Sequence, residues 1–136
     1  MRVVLITGSR AWSDLHPIER VLLGADLCIV GCADGADRIA REYCKRNDVM
    51  LSVQTADWKN DGKSAGPIRN TRMASIARCY RDDGIPVECY AFPLPNSIGT
   101  WDCVEKCRQF GLRVMVYEES PASARQAVLP WDRALF

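Results

Sequence analysis

Short apolar runs recur along the chain, and longer segments of mixed polarity separate them. The first run, Val3–Thr7, contains only β-branched residues and leucine, and it stops at a glycine. A continuous apolar run of this kind is typical of a strand that is buried on both faces. The pattern predicts five strands, at Val3–Thr7, Leu27–Val30, Val49–Gln54, Val87–Phe92 and Arg113–Tyr117.

Most of the segments between these strands predict helices. After the second strand, apolar residues at Ala36, Ile39, Ala40 and Tyr43 recur at helical spacing. The polar segment Ala56–Ala65 instead predicts a mobile loop, because it contains Asn, Asp and Gly in succession. Helices are predicted at Pro17–Leu23, Gly35–Asn47, Gly66–Arg81 and Gly99–Phe110.

Strands that alternate with helices imply a parallel sheet covered on both faces, which is an α/β, Rossmann-like architecture. Right-handed crossovers leave few arrangements for five such strands, and we predict a doubly wound sheet of strand order 3-2-1-4-5. In that order the winding reverses between strands one and four. A ligand is therefore expected in the crevice at the carboxyl ends of these two strands.

The chain length predicts one domain. Its 136 residues can bury a single core, and the strand and helix pattern occupies residues 1–117. Residues 118–136 form a C-terminal tail that ends in apolar residues, among them Leu129, Trp131, Leu135 and Phe136. We expect this tail to pack on its own domain or on a second subunit, and we expect a homo-oligomer.

Composition narrows the range of partners. The chain is 48% hydrophobic and 26% charged, with a formal net charge of +1. A near-neutral charge argues against a general nucleic-acid binder, which usually has a basic surplus. No apolar run approaches the roughly 20 residues that span a bilayer, and the start of the chain lacks a signal-peptide cleavage pattern. We therefore expect a cytoplasmic protein that has no membrane contact.

The cysteines do not predict a metal site. There are seven of them, no Cys-x-x-Cys occurs, and His16 is the only histidine. Zinc sites usually need closely spaced Cys and His ligands, so we expect no metal and no resident cofactor. Most of the cysteines are expected to be reduced thiols in the core, where free cysteine behaves as a small hydrophobe.

Two strand-to-loop transitions carry candidate chemistry. After the first strand, Gly8, Ser9 and Arg10 offer backbone amides, a hydroxyl and a cation to an anion, although they also fit a plain turn. Trp12 follows closely and could stack on a base or cap the core. After the second strand, the run Gly31–Arg38 is rich in small residues, but it matches neither the dinucleotide fingerprint nor the P-loop.

Three residues of this second run are candidate ligand contacts. Gly35 allows a close approach of the backbone, and Asp37 lies on the first turn of the predicted helix. Asp34 could cap that helix or hold a ribose hydroxyl.

The segment Ala65–Met73 is the most informative part of the sequence. A proline fits the first turn of a helix, and Arg69 and Asn70 follow it closely. Guanidinium groups near a helix start favour a bound anion, such as phosphate or carboxylate. Trp58, just upstream, could close over a base or pack on the loop.

A hydroxyl-bearing turn precedes the last predicted helix. Ser97, Gly99 and Thr100 offer free amides and hydroxyls at the predicted crevice, which is a suitable cradle for phosphate. The alternative is that Thr100 is a simple N-cap.

Together these motifs resemble the SLOG superfamily, a Rossmann-like group that includes the Lonely Guy phosphoribohydrolases and the DprA-type proteins. The similarity is greatest to its YspA branch, also called YpsA-related, of small bacterial and phage proteins. It spans Met1 to Tyr117. The matching segments are Ile6–Arg10 with Trp12, Gly31–Asp37, Ala56–Trp58, Ala65–Asn70 with Met73, and Gly99–Thr100.

The resemblance implies a nucleotide or a nucleotide-derived ligand. Lonely Guy enzymes carry a Pro-Gly-Gly-x-Gly-Thr loop followed by an acidic residue that takes part in cleavage of an N-glycosidic bond. In this chain the corresponding segment is Pro95–Asp102, in which both early glycines are replaced. Asp34 and Asp102 remain the candidate catalytic acids, without a firm match to the catalytic position.

Two functions therefore stay open at this stage. One is recognition of a phosphate-bearing nucleoside derivative, such as an ADP-ribose-like signal, combined with N-glycosidic hydrolysis. In that case Asp34 or Asp102 would stabilise a ribosyl cation or activate water. The other is a non-catalytic module that senses or sequesters a signalling nucleotide.

Overall fold

The structure, a computed structural model, describes residues 1–118, and it contains one five-stranded parallel sheet. The strand order is β3-β2-β1-β4-β5, so the predicted fold class and topology are confirmed. The predictions for the tail, except at residue 118, fall outside the described residues. The strands are β1 (Val3–Gly8), β2 (Leu27–Gly31), β3 (Met50–Gln54), β4 (Val87–Phe92) and β5 (Val114–Val116).

The helices lie close to their predicted positions. One difference is the segment Ala56–Ala65, predicted as a mobile loop, most of which is helical. Asp57 explains this, because its carboxylate accepts hydrogen bonds from the backbone N–H and the side-chain amide of Asn60. The helices are α1 (Leu15–Leu22), α2 (Ala36–Arg46), α3 (Trp58–Asp61), α4 (Ala65–Asp82) and α5 (Ile98–Gln109), with a 3₁₀ turn at Gly62–Ser64.

The helices cover both faces of the sheet. Successive residues of a strand point to opposite faces, and β1 shows this directly. Val4 and Ile6 pack in the cluster that includes α1 and α2, whereas Val3 and Leu5 pack in the cluster that includes α4 and α5. Each of these four side chains is fully buried. The central strand therefore carries core residues on both of its faces.

Five of the seven cysteines are buried, as predicted for core thiols. Cys28 and Cys44 lie in the cluster under α1 and α2, and Cys89, Cys103 and Cys107 lie in the cluster under α4 and α5. Within residues 1–118, no helix is long and apolar enough to cross a membrane.

Candidate functional site

The loops after β1 and β2 meet at the carboxyl edge of the sheet. The N–H of Ala36 donates a hydrogen bond to the carbonyl of Ser9 at 3.1 Å. Gly35 has a φ of +68°, and a Cβ at this position would overlap the backbone of Ser9 and Arg10. Glycine is needed here for both its dihedral angle and its size. The close approach predicted for Gly35 is therefore made to the β1 loop.

The β1 loop is also joined to β4. The N–H of Ser9 donates to the carbonyl of Phe92 at 3.0 Å. A Cβ on Gly8 would lie 2.5 Å from the Cβ of Ala36 and 2.9 Å from the carbonyl oxygen of Phe92, so Gly8 is a spacer between β4 and α2. Arg10 is exposed at this edge, and its guanidinium has no partner among residues 1–118.

Gly31, the last residue of β2, lies between two charged side chains. A Cβ on Gly31 would be 2.5 Å from Nη1 of Arg69 and 2.6 Å from Oδ2 of Asp37. The guanidinium and the carboxylate are therefore within about 5 Å of each other, although these two side chains share no hydrogen bond. Absence of a side chain at Gly31 is what allows them to converge.

The carboxylate of Asp37 is buried, since the residue is only 5% exposed. Its Oδ2 accepts a hydrogen bond from the N–H of Ala33 at 3.3 Å. Burial raises the pKa of Asp37 from its ordinary value of 3.8 to about 6, and the nearby charges of Arg69 and Arg41 and the bond from Ala33 offset part of that rise. Its Oδ1 has no hydrogen-bond partner among residues 1–118.

The side chain of Arg69 is oriented by Asn70, its neighbour on α4. Its Nε donates to Oδ1 of Asn70 at 2.9 Å, whereas its two terminal nitrogens donate no hydrogen bond to any described residue. Asn70 is 3% exposed, and its amide donates to the carbonyl of Gly99 at 3.1 Å and to Asp102 at 3.0 Å. Asn70 thus orients Arg69 and joins α4 to the start of α5.

Asp102 has both carboxylate oxygens occupied. Its Oδ1 accepts from Nζ of Lys106 at 3.0 Å, and its Oδ2 accepts from the same ammonium group at 2.8 Å and from Asn70. The ammonium group of Lys106 also donates to the carbonyl of Pro67, in the first turn of α4. Asp102, proposed from the sequence as a catalytic acid, therefore acts as a bridge between α4 and α5.

The start of α5 exposes one free amide. Ile98, Thr100 and Trp101 donate their N–H groups to nearby carbonyls, whereas the N–H of Gly99 has no acceptor among the described residues. A Cβ on Gly99 would have no atom within 4 Å. The open side of Gly99 fits the predicted cradle.

The N-cap alternative for Thr100 is wrong. Helix α5 begins at Ile98 and Ser97 occupies the cap position, so Thr100 lies inside the helix. Thr100 is buried, and its hydroxyl is 2.6 Å from that of Ser97. The two hydroxyls are therefore partnered with each other.

The two tryptophans have different environments. Trp12 is 5% exposed, its ring contacts Phe92 edge-on at 5.4 Å between centroids, and its Nε1 donates to the carbonyl of Asp14. The structure thus places Trp12 in the core, the second of its two predicted roles. Trp58 is 59% exposed, and its ring edge would be 3.2 Å from a Cβ on Gly66, one turn before Arg69. Trp58 therefore lies against the start of α4 and keeps more than half of its surface exposed.

Asp34 is exposed and makes no hydrogen bond or ion pair with these groups. The N-cap of α2 is Gly35, without a side-chain cap, so the capping role considered for Asp34 is wrong. Within residues 1–118, no cluster of three His, Cys, Asp or Glu side chains could hold a metal ion.

No family model and no solved structure matches the chain. The chain is 35% identical over 133 residues to the Gene 61 protein of Mycobacterium phage D29, in an alignment that covers 89% of this chain and 100% of the phage protein. The chain belongs to the family of this phage protein. Membership of the SLOG superfamily stays a prediction.

Two contributors to the site were not singled out from the sequence. Gly31 is the spacer for the charged pair, and Lys106 neutralises Asp102. The i,i+4 spacing of Asp102 and Lys106 on a predicted helix was a signal for their ion pair. The role of Gly31 had no local signal, because Arg69 comes from a helix almost forty residues further along the chain.

Proposed function

We propose that the chain binds a small phosphate-bearing nucleotide, or a ligand derived from one such as an ADP-ribose-like signal, in the crevice at the carboxyl edge of β1, β2 and β4. The observation that carries this proposal is the guanidinium of Arg69, which is oriented by Asn70 and has unpaired terminal nitrogens. We further propose that the protein acts in the cytoplasm and that it belongs to the SLOG superfamily.

Phosphate suits this guanidinium better than a neutral group. A partly buried cation without a direct anionic partner is costly, and two oxygens of a phosphate accept hydrogen bonds from two guanidinium nitrogens in a planar fork. The free N–H of Gly99 adds a backbone donor at the positive end of α5. Exposed Arg10 adds a second cation at the same edge of the sheet.

An aromatic base suits the neighbouring surface. Helical side chains lean toward the N-terminus, so Arg69 leans toward Gly66, over which the ring of Trp58 lies. Because Gly66 has no side chain, the indole lies against the helix one turn before Arg69, where a base attached to a phosphate at Arg69 would stack on it. Stacking on an aromatic ring is tolerant of base identity, so this pair does not name the base.

The geometry supports binding without catalysis more than it supports N-glycosidic hydrolysis. Both oxygens of Asp102 are already bonded to Lys106 and Asn70, so it is poorly placed to take a proton. Asp34 is exposed and lies on no part of the bonded network. A sensor or a sequestering module is therefore the form of the function that we favour.

The proposal is tested by titrating nucleotides into the full chain by calorimetry, after native mass spectrometry has identified any nucleotide that co-purifies. In Arg69→Ala, with Asn70 kept, the loss of a charge-assisted contact should weaken binding about tenfold or more. Arg78→Ala is the matched control, because Arg78 lies on the same helix, stacks on Phe110, and is distant from the crevice.

Unchanged affinity in Arg69→Ala would contradict the assignment. A large fall in melting temperature in that variant, with equal weakening in Arg78→Ala, would show a structural arginine instead.

The chain is further proposed to form a homo-oligomer next to the crevice. Ile98 is 81% exposed and Trp101 is 40% exposed on the first turns of α5. Large apolar side chains at such exposure are typical of an interface. A symmetric pairing of this surface would place two crevices close to the same axis.

A further inference from the structure

One carboxylate in the crevice is not explained by phosphate binding alone. Asp37 is 5% exposed, yet only one of its two oxygens has a hydrogen bond within the described part of the chain. Buried carboxylates usually accept several hydrogen bonds, because each missing one leaves a desolvation cost uncompensated. A missing donor is therefore expected at Oδ1.

Charges from several elements face this carboxylate. Arg69 approaches it from α4, and Arg41 lies on its own helix, where its guanidinium is committed to the carbonyls of Gly31 and Ala33. The thiols of Cys28 and Cys103 also lie close enough for the charge of Asp37 to raise their pKa. Both arginines favour the ionised, acceptor form, so the missing partner is a donor.

We propose that Asp37 accepts a hydrogen bond from a sugar hydroxyl of the same ligand whose phosphate pairs with Arg69. Asp37 would then be the residue by which the site distinguishes a sugar phosphate, such as the proposed nucleotide, from inorganic phosphate. This inference rests on the proposed function, because it needs a phosphate at Arg69.

The geometry of Gly31 supports a single ligand that contacts both side chains. The carboxylate and the guanidinium lie within about 5 Å of each other but are not bonded to each other. An acceptor and a donor at this separation match a group that offers an oxyanion and a hydroxyl together. Because Asp37 is only 5% exposed, a small group such as a hydroxyl reaches it more easily than a base does.

The experiment compares ribose 5-phosphate with inorganic phosphate as probes, so that no base has to be known. Both are titrated by NMR into the full chain at pH 8, where the probes are dianions and Asp37 is ionised. Asp37→Asn keeps the size of the side chain and removes its charge. Glu42→Gln, an exposed residue of the same helix, is the matched control for loss of one negative charge.

In Asp37→Asn, affinity for ribose 5-phosphate should fall about five- to tenfold, because a hydrogen bond to a charged acceptor is roughly twice as strong as a neutral one. Affinity for inorganic phosphate should stay the same or rise, since a repelling charge is removed. Glu42→Gln should leave the ratio of the two affinities unchanged.

Two results would overturn the inference. If Asp37→Asn changes both affinities by the same factor, Asp37 is only a counter-ion of Arg69. If the wild type binds ribose 5-phosphate no better than inorganic phosphate, no hydroxyl is recognised. Failure of the wild type to bind either probe would instead overturn the proposed function itself.

Discussion

Asp37 destabilises the free protein when it is ionised. Burial raises the pKa of this carboxyl to about 6, against 3.8 in an unfolded chain. Between these two values the native state binds a proton that the unfolded state has already lost, so the free energy of unfolding falls as the pH rises. The effect is complete above pH 6 and absent below about pH 4. Binding residues often carry such a cost, which the ligand offsets.

A pH series on Asp37→Asn tests this cost. The variant lacks the titration, so the difference between its free energy of unfolding and that of the wild type should grow by about 2 kcal/mol in favour of the variant from pH 4 to pH 7. Urea unfolding without ligand, followed by circular dichroism at several pH values, measures the difference. A difference that stays constant across the range would show that Asp37 is not perturbed in the native state.

Helices α4 and α5 are the elements that build the crevice, and a polar bridge joins them. Asn70 and Lys106 reach across the helix pair to Gly99, Asp102 and the first turn of α4. Because Asn70 also holds Arg69, the bridge sets the position of the cation relative to the amide of Gly99. The two donors that we propose for the phosphate are thus positioned by one set of hydrogen bonds.

The start of α5 offers a substitution that separates binding from folding. A Cβ on Gly99 would have no atom within 4 Å, so the space beside the free amide is open. In Gly99→Val the new side chain would fill this space. Stability should change by less than about 1 kcal/mol, because valine is at least as favourable as glycine in a helix. Binding of ribose 5-phosphate should nonetheless be lost.

Thermal unfolding with and without ribose 5-phosphate measures both effects, and Gln109→Val, at an exposed neutral position at the end of the same helix, controls for a new valine on α5. If the ligand raises the melting temperature of Gly99→Val as much as that of the wild type, the cradle lies elsewhere.

The sequence predicts the positions of most helices and strands better than it predicts where a helix ends and which side chains form hydrogen bonds with each other. Val87–Phe92 was predicted with its observed bounds, because five of its six residues are apolar and a proline flanks it on each side. Helix α3 was missed, since its four residues, three of them polar, carry no apolar period and depend on the side chain of Asp57. The hydrogen bond from Asn70 to Asp102 could not be predicted from the sequence either, because only the packing of α4 on α5 brings the two side chains together.

The whole molecule presents the crevice next to an exposed apolar surface. Ile98 and Trp101 are exposed at the start of α5, and the chain continues for 18 residues beyond the described part. These two features define alternative interfaces for the proposed oligomer, one on the helices and one in the tail.

Light scattering on the full chain and on a version that ends at Glu119 distinguishes these interfaces. We expect the full chain to be a dimer or larger, and Ile98→Ser to weaken the assembly if the helices form it. A truncated protein that stays dimeric assigns the interface to the helices, and one that becomes monomeric assigns it to the tail. A monomeric full chain rejects the oligomer.

The central position of β1 has a consequence during protein synthesis. Val3 pairs with Leu27 on one side and with Val87 on the other. One edge of β1 therefore stays unpaired until β4, which lies roughly 80 residues further along the chain, has been synthesised. At about 5 to 20 residues per second, a ribosome needs roughly 4 to 16 seconds to supply it. During that interval an apolar strand edge is open to other chains, which makes β1 the segment where chaperone protection matters most.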